Sequence, residues 1–190
     1  MITTMLGEVF GWRMFFEPVI NNPYLDDYYR DMQRWSFNLQ IFFLNSRFEQ
    51  LLEIRRRGRN VIQDRTIYED AFIFAPNLHA MGLMTTRDFE NYHRLFLNME
   101  SAIAPPDLLI YLQAPVEKLV KQIAERGRDY EASISIDYLK RPNERYEAWI
   151  STYDKGKLLI VDVDDNRFHK SAEDLGTIIN AIDGEVCLLY

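Results

Sequence analysis

Two acidic residues and an arginine stand where short apolar runs of the chain end. Glu17 follows the run at residues 14–16, and Asp64 and Arg65 follow the run at 61–62. A carboxylate can orient or deprotonate a hydroxyl group or hold Mg²⁺, and a guanidinium can meet phosphate charge. The alternative is that both acids cap the helices that follow them and that Arg65 pairs with one of them. Spacing alone favours neither interpretation.

A polar pair stands in a segment crowded with aromatic residues. Gln40 and Arg47 are seven residues apart, which places them on one face of a helix about 10 Å from each other. Large polar side chains beside aromatic rings suit a planar, hydrogen-bonding ligand such as a nucleobase. Taken alone, the pair is better explained as a solvated face beside a core of aromatic residues.

A charged run at residues 125–131 includes two arginines, Arg126 and Arg128. Two guanidiniums on a segment that closes over a site can offset the charge of a transferring phosphoryl group. A solvated helix end is the more frequent explanation of such a run, and by itself the run favours that explanation.

The elements that must position these residues alternate along the chain. Short apolar runs, typical of buried parallel strands, occur at residues 14–16, 61–62, 108–112 and 158–163. Helical patterns lie at residues 26–57, 88–101, 116–125, 136–153 and 172–182. This alternation predicts an α/β domain, a three-layer parallel sheet with helices on both faces. Ligands of such sheets bind outside the carboxyl ends of the strands, where Glu17 and Asp64 stand.

Composition excludes several classes of function. The 190 residues carry 22 Lys plus Arg against 29 Asp plus Glu, and this net charge of −7 argues against a general nucleic-acid partner. No apolar stretch approaches the roughly 20 residues of a membrane span, so no membrane partner is expected. Cys187 is the single cysteine and the start lacks a signal-peptide pattern, which favours a cytoplasmic location. The basic run at 55–59 predicts a helix end with Gly58 as its left-handed cap.

Taken together, the segments resemble the deoxynucleoside kinase family over nearly the whole chain. The resemblance rests on Glu17-Pro18, on the run at residues 34–40, on Asp64-Arg65-Thr66 as a version of the family's D/E-R-S motif, and on Arg126-Gly127-Arg128. It implies a P-loop kinase-like fold, a single domain over residues 1–190, and a homodimer. It further implies ATP- and Mg²⁺-dependent phosphorylation of the 5′-hydroxyl of a deoxynucleoside in nucleotide salvage, with purines and above all deoxyadenosine preferred.

The resemblance also implies roles for individual residues. Glu17 would touch the 5′-hydroxyl, Asp64 would lie near Mg²⁺, and either of them could be the base that takes the proton. Arg65 would contact the 5′ end and the phosphates. The remaining implied contacts are with the base (Gln40, Asp70, Phe74, and Arg47 either on Asp70 or on the base itself), with the sugar 3′-hydroxyl (Tyr29, Glu131), and with the donor phosphates and adenine (Arg126, Arg128, Asp165).

The chain departs from the family pattern in three places. No G-x-x-x-x-G-K-[ST] segment occurs in the 190 residues, and the opening residues 3–6 resemble the helix that follows this phosphate loop in the family. We therefore expect a kinase domain that is truncated at its N-terminus, without its first strand and phosphate loop. Gln122 stands where the family often has an arginine, and Thr66 replaces the serine of the D/E-R-S motif.

Two other functions compete with this expectation. The first is a non-catalytic nucleoside-binding or interaction protein that has lost its phosphate loop. The second is a kinase of nucleoside monophosphates related to thymidylate kinase, which would need an additional basic site that the sequence does not offer.

Overall fold

A computed structural model describes residues 1–17, 22–58, 60–126, 136–164 and 167–187. The chain divides into two compact units, an N-terminal unit of residues 3–104 and a C-terminal unit of residues 105–190 that also takes in residues 1–2. The elements of the N-terminal unit are α1 (Ile2–Phe10), β1 (Arg13–Phe15), α2 (Leu25–Arg30), α3 (Met32–Arg57), β2 (Val61–Gln63), α4 (Ile67–Glu69), a π-helical segment (Asp70–Phe74), α5 (Ala75–Ala80) and α6 (Thr86–Glu100).

The two strands of the N-terminal unit pair in parallel and bring two predicted site segments side by side. Arg13 is opposite Val61 and Phe15 is opposite Gln63 in this register. The ladder continues one step further, because the Asp64 N–H donates to the Phe15 carbonyl at 2.8 Å. Glu17 and Asp64 therefore leave the same edge of the sheet, as the strand pattern predicts.

Helix α3 is the long scaffold of the N-terminal unit. The sequence predicted one helix over residues 26–57, and this is wrong at Asp31, where the backbone leaves the helical region and divides α2 from α3. The Asp31 carboxylate accepts the Arg34 N–H at 3.0 Å, so an N-cap begins a new helix here. At the other end Gly58 has a φ of 56°, which confirms the predicted left-handed cap.

The helical region from Ile67 to Ala80 was not predicted. Its start is a capping box: Thr66 Oγ1 accepts the Tyr68 N–H at 3.2 Å, and Glu69 Oε2 accepts the Thr66 N–H at 2.7 Å. The pattern Thr-x-x-Glu was readable in the sequence as a helix start. After one turn the chain forms the π-helical segment, which continues directly into α5.

The C-terminal unit contains the second parallel pair of strands. Its elements are β3 (Leu108–Gln113), α7 (Val116–Arg126), α8 (Ile136–Ser151), β4 (Lys157–Asp162) and α9 (Ala172–Cys187). Leu108 is opposite Lys157 and Gln113 is opposite Asp162. All four predicted strands are thus present, both pairings are parallel, and the predicted α/β class is confirmed.

A carboxylate ties α8 to β3 within the C-terminal unit. Glu147 accepts the Tyr111 hydroxyl at one oxygen and the Gln113 amide at the other, both at 2.9 Å. Burial and the hydrogen bond to Glu147 raise the pKa of Tyr111 well above its usual value, so the phenol stays a neutral donor. None of the helices within the described ranges combines the length and apolar character that a bilayer crossing requires.

The close approach of α1 to β1 generates a stability prediction. A Cβ added at Gly7 would meet Met14 Cγ and lie 2.7 Å from Met14 Sδ, so the methionine must shift. We expect Gly7→Ala to lower the free energy of unfolding by about 1–3 kcal/mol, as measured by urea denaturation. The control is Gly184→Ala in α9, where a Cβ meets open space and helix propensity alone predicts a gain of up to about 1 kcal/mol. Equal stability of the Gly7 variant and the wild type would contradict this packing.

Candidate functional site

The buried guanidinium of Arg47 is the centre of the site. Its side chain is 0% exposed, and Nη1 donates to the carbonyl oxygens of Asp64 and Arg65, each at 3.1 Å. Nη2 lies 3.0 Å from Glu17 Oε1, and Nε lies 2.6 Å from Asp70 Oδ2. One side chain thereby joins the end of β1, the turn after β2 and the π-helical segment. The Arg47 cluster consists of Arg47, Glu17, Asp64, Arg65 and Asp70.

Helix α3 presents Arg47 and Gln40 on its buried face. The buried residues of this helix recur at helical spacing: Ser36, Leu39, Gln40, Leu44 and Arg47. Both polar side chains are therefore inside the protein, which overturns the interpretation of the pair as a solvated face. Arg47 also forms an ion pair with Asp70, which is one of the two roles that the resemblance implies for it.

Two guanidiniums share a single oxygen of Glu17. Oε1 accepts from Arg47 and from Arg65 Nη1, each at 3.0 Å, so the second oxygen, Oε2, is outside these two ion pairs. Arg65 has a φ of 63°, the one non-glycine residue with positive φ among those described, and its guanidinium lies 4.8 Å from the centre of the Phe74 ring. A strained backbone here is consistent with a functional turn, because the left-handed region costs a non-glycine residue about 1–3 kcal/mol.

The Asp64 carboxylate does not cap the helix that follows it. The cap of α4 is Thr66, so the interpretation of Asp64 as a helix cap is wrong, whereas the pairing of Arg65 with Glu17 is as that interpretation expected. Asp64 is half-buried, and within the described ranges its carboxylate forms no hydrogen bond or ion pair. A carboxylate without such partners, at the same sheet edge as Glu17, can accept a hydroxyl proton or bind a cation.

Asp70 is a carboxyl group in an unusual electrostatic environment. It is 2% exposed, and burial raises its pKa from 3.8 to about 7, against the opposing effect of the Arg47 guanidinium. Glu69 and Glu17 raise the pKa further, and Arg65 lowers it. Asp70 therefore changes its charge near neutral pH, and with it the hydrogen bonds that it can form with a ligand.

Gln40, which lies on α3 as Arg47 does, carries a second polar group without a hydrogen-bond partner among the described residues. Its side chain is 5% exposed, and its Oε1 has no hydrogen-bond partner in the part of the chain that the structure describes. Buried amide groups in folded proteins are nearly always paired, and an unpaired one points to a ligand, a water or a functional role. An amide and a carboxylate together can read the edge of a planar heterocycle.

Other predicted site residues lie elsewhere or outside the description. Tyr29 is half-buried on α2 with its ring edge-on to Tyr28, and the contacts that define the Arg47 cluster do not include it. Glu131, Arg128 and Asp165 lie outside the described residues, as does the side chain of Arg126.

Two buried polar residues were missed by the sequence reasoning. Asn77 on α5 is 2% exposed and Tyr92 on α6 is 0% exposed, and Asn77 Oδ1 and Tyr92 Oη have no hydrogen-bond partner among the described residues. The signal for Tyr92 was its position in the stripe Phe89, Tyr92 and Phe96, which marks the buried face of α6. Asn77 lies seven residues after Asp70 in one continuous helical region, a spacing that becomes informative only once that region is recognised.

Comparisons with known proteins show which family the chain is similar to. The family model of deoxynucleoside kinase matches residues 1–188. The chain is 37% identical over 185 residues to a deoxyadenosine/deoxycytidine kinase of Bacillus subtilis, which is 96% of this chain and 83% of that protein. It is 40% identical over 149 residues to a deoxyadenosine kinase of Dictyostelium discoideum, which is 78% of this chain and 60% of that protein.

A solved structure has the same fold over almost all of the chain. The deoxyadenosine kinase from M. mycoides with bound dATP superposes with a TM-score of 0.81 at 27% identity, over 96% of this chain and 92% of that one. A P-loop kinase-like α/β fold and a match to the family model over residues 1–188 lead to one conclusion: the chain belongs to the deoxynucleoside kinase family.

Proposed function

We propose that this protein transfers the γ-phosphoryl group of ATP to the 5′-hydroxyl of a deoxynucleoside in nucleotide salvage, with purines and above all deoxyadenosine preferred. The observation that carries the proposal is the Arg47 guanidinium, which holds Glu17, Asp70 and the Asp64–Arg65 backbone together. Glu17, which suits a hydroxyl group, and Asp70, which suits the edge of a base, are therefore both held by the Arg47 guanidinium.

The base end of the site consists of Gln40, Asp70 and Phe74. Adenine presents an amino group next to a ring nitrogen, so an ionised carboxylate can accept from the amino group while an amide N–H donates to the ring nitrogen. Cytosine presents the same order of groups. Relatives of this chain are named as deoxyadenosine, deoxycytidine and deoxyguanosine kinases, and the Gln40–Asp70 pair favours the first two. Phe74 would stack against the base.

The hydroxyl end of the site consists of two carboxylates and Arg65. The arginines occupy Oε1 of Glu17, so Oε2 is the oxygen that can accept the 5′-hydroxyl. The Asp64 carboxylate is the second acceptor, and variants of each acid decide which one takes the proton. Arg65 would contact the 5′ end and offset the negative charge that develops during transfer.

The sugar and the donor complete the proposed site. By the family resemblance, Tyr29 and Glu131 would bind the 3′-hydroxyl, Arg126 and Arg128 would contact the donor phosphates, and Asp165 would flank the donor adenine. Asp64 fits Mg²⁺, because one free carboxylate together with substrate phosphates and water is the usual way in which proteins bind this ion. Bound there, Mg²⁺ would neutralise charge on the phosphates.

The 190 residues contain no G-x-x-x-x-G-K-[ST] segment, and we propose that they form a single kinase domain. Nucleoside binding through the Arg47 cluster does not require such a phosphate loop, whereas turnover does. A cytoplasmic location is part of this proposal, because ATP and nucleosides are available there.

A homodimer formed through α3 and α6 is also part of the proposal. Family members pair through helices, and α6 exposes Leu97, whose exposed fraction of 47% is high for a leucine. An apolar side chain on an otherwise polar outer helix face is what a helix–helix interface requires.

The first prediction tests the function directly. The native protein purified from its source should phosphorylate deoxyadenosine with ATP, and Glu17→Gln and Asp64→Asn should each lower kcat by roughly 10²–10⁴-fold. The variant that lacks the base should also lose the acid limb of the pH–rate profile. Glu90→Gln, an exposed acid on α6, is the control and should leave kcat unchanged. Tight deoxyadenosine binding without turnover by the native protein would instead favour a non-catalytic binding protein.

The second prediction concerns the pH dependence of binding. The pKa of Asp70 is about 7, so the carboxylate that accepts the adenine amino group forms as the pH rises through 7. Titration calorimetry of the 190-residue chain with deoxyadenosine should therefore show binding about tenfold weaker at pH 6 than at pH 8. Purine 2′-deoxyriboside, which lacks the amino group, should show a much smaller change. Stronger binding of deoxyadenosine at pH 6 would contradict the role of Asp70.

The third prediction concerns the dimer. Leu97→Glu places a charge in the proposed interface and should convert a dimer into a monomer, measured by sedimentation equilibrium. Val9→Glu is the control, because Val9 is 53% exposed on α1, away from α3 and α6 in sequence. A monomeric wild type, or a dimer that persists in the Leu97 variant, would contradict pairing through α6.

A further inference from the structure

The Arg65 guanidinium contacts both a carboxylate and an aromatic ring. Its Nη1 lies 3.0 Å from Glu17 Oε1, and its central carbon, Cζ, lies 4.8 Å from the centre of the Phe74 ring. A cation within about 6 Å of a ring centre is attracted by the negative face of the ring. Arg65 is therefore in contact with one group from the hydroxyl end of the proposed site and one group from its base end.

The backbone of Arg65 is fixed, but its side chain is long and partly in water. The Arg65 carbonyl accepts a hydrogen bond from Arg47 Nη1 at 3.1 Å, and the next residue, Thr66, caps α4. The side chain of Arg65 is 40% exposed, and a long side chain of that exposure has many rotamers open to it unless contacts select one. The fixed turn sets where this side chain begins, and the contacts farther out set where the guanidinium lies.

The contacts of the two arginines form a closed cycle. Arg47 and Arg65 both bind Oε1 of Glu17. Arg47 also pairs with Asp70, at the start of the π-helical segment. Arg65 meets Phe74, at the end of the same segment. The π-helical segment is thus connected to Glu17 by two guanidiniums, one through a carboxylate and the other through the face of a ring.

We propose that Phe74 is a positioning residue for Arg65, and that its ring face keeps the guanidinium directed towards Glu17. The proposal deepens the function proposed above and depends on it for the identity of the ligand. In that function Phe74 stacks against the base and Arg65 contacts the 5′ end. The area of one ring then supports the base, while its electron density holds the guanidinium near the reacting hydroxyl.

Fluorination separates these two effects, because it changes the charge distribution of a ring and nearly keeps its shape. Trifluorophenylalanine in place of Phe74 removes most of the negative potential that attracts a cation. In the native protein we expect this replacement to lower kcat about three- to tenfold. The Kd for deoxyadenosine, measured by calorimetry, should change by less than about twofold, because the ring still offers its surface to the base.

Two ordinary substitutions bracket this result. Phe74→Tyr keeps an electron-rich ring and should leave kcat within about twofold of the wild-type value. Phe74→Leu removes the ring, so it should both lower kcat and weaken deoxyadenosine binding, each by roughly three- to tenfold.

Phe96 on α6 provides the matched control. Its buried ring meets the rings of Tyr68 and Phe72 edge-on, with ring centres 6.1 and 5.4 Å apart. Trifluorophenylalanine at this position changes contacts between rings in the core and should leave kcat and the Kd for deoxyadenosine unchanged. An equal loss of kcat in this control would contradict the proposal.

The contact between Arg65 and the ring can also be measured by NMR without a ligand. A ring current shifts protons above a ring face upfield. The protons on Cδ and Nε of Arg65 in the 190-residue chain should therefore resonate upfield of those of Arg56, an exposed arginine on α3. Phe74→Leu should abolish this difference.

The outcomes separate this proposal from the one on which it rests. An unchanged kcat after fluorination of Phe74, or Arg65 protons without the upfield shift, overturns the role of Phe74 in positioning Arg65. A wild-type protein that binds and phosphorylates no deoxynucleoside overturns the proposed function, and the Arg65 shift then still decides whether the ring holds the guanidinium.

Discussion

The N-terminal unit depends on a charge that has no contact with water. A fully buried guanidinium needs polar partners, and Arg47 has four: its Nη atoms donate to two backbone carbonyls and to Glu17, and its Nε forms an ion pair with Asp70. Removing one partner of such a pair costs about 3–5 kcal/mol, because the other charge stays buried. The end of β1, the turn after β2 and the π-helical segment are therefore fixed relative to α3 by one requirement, and Glu17, Asp64, Arg65 and Asp70 stand on these three segments.

The burial of Asp70 lowers the stability of the folded state near neutral pH. Its pKa is about 7 in the folded protein and near 3.8 in an unfolded chain, so between these values the folded state holds a proton that the unfolded state has released. This group consequently destabilises the folded state progressively as the pH rises from about 4 to about 7. A ligand that donates a hydrogen bond to the carboxylate would offset the loss. A bound ligand of this kind would therefore stabilise the folded state, which fits the binding role proposed for Asp70.

The sequence predicts the strands, the cap at Gly58 and the shared edge of Glu17 and Asp64, because apolar runs and glycine caps are local signals. Spacing alone did not identify Gln40 and Arg47 as buried, since helical periodicity cannot tell an aromatic core from a solvated face when polar and aromatic residues are mixed. The resemblance to the deoxynucleoside kinase family implied that Gln40 and Arg47 belong to the site, which periodicity alone did not indicate. The break at Asp31 and the π-helical segment were missed because a backbone change of one residue leaves the hydrophobic pattern almost intact. Tyr92 was missed because a tyrosine in a core stripe looks like packing until its neighbours are known.

In the proposed function, the shared anchor would also couple two properties that an enzyme could otherwise vary separately. Glu17, at the hydroxyl end, and Asp70, at the base end, bind different nitrogen atoms of the same guanidinium. A lysine in place of Arg47 would offer one compact charge where a planar fork now makes three hydrogen bonds and one ion pair, so it could not hold both carboxylates and both carbonyls at once. With the native arginine, movement of Glu17 or Asp70 would disturb the other carboxylate through their shared contact with Arg47. In the proposed function, base selection and orientation of the hydroxyl would therefore depend on the same buried contact, and a change that loosens base recognition would also displace Glu17.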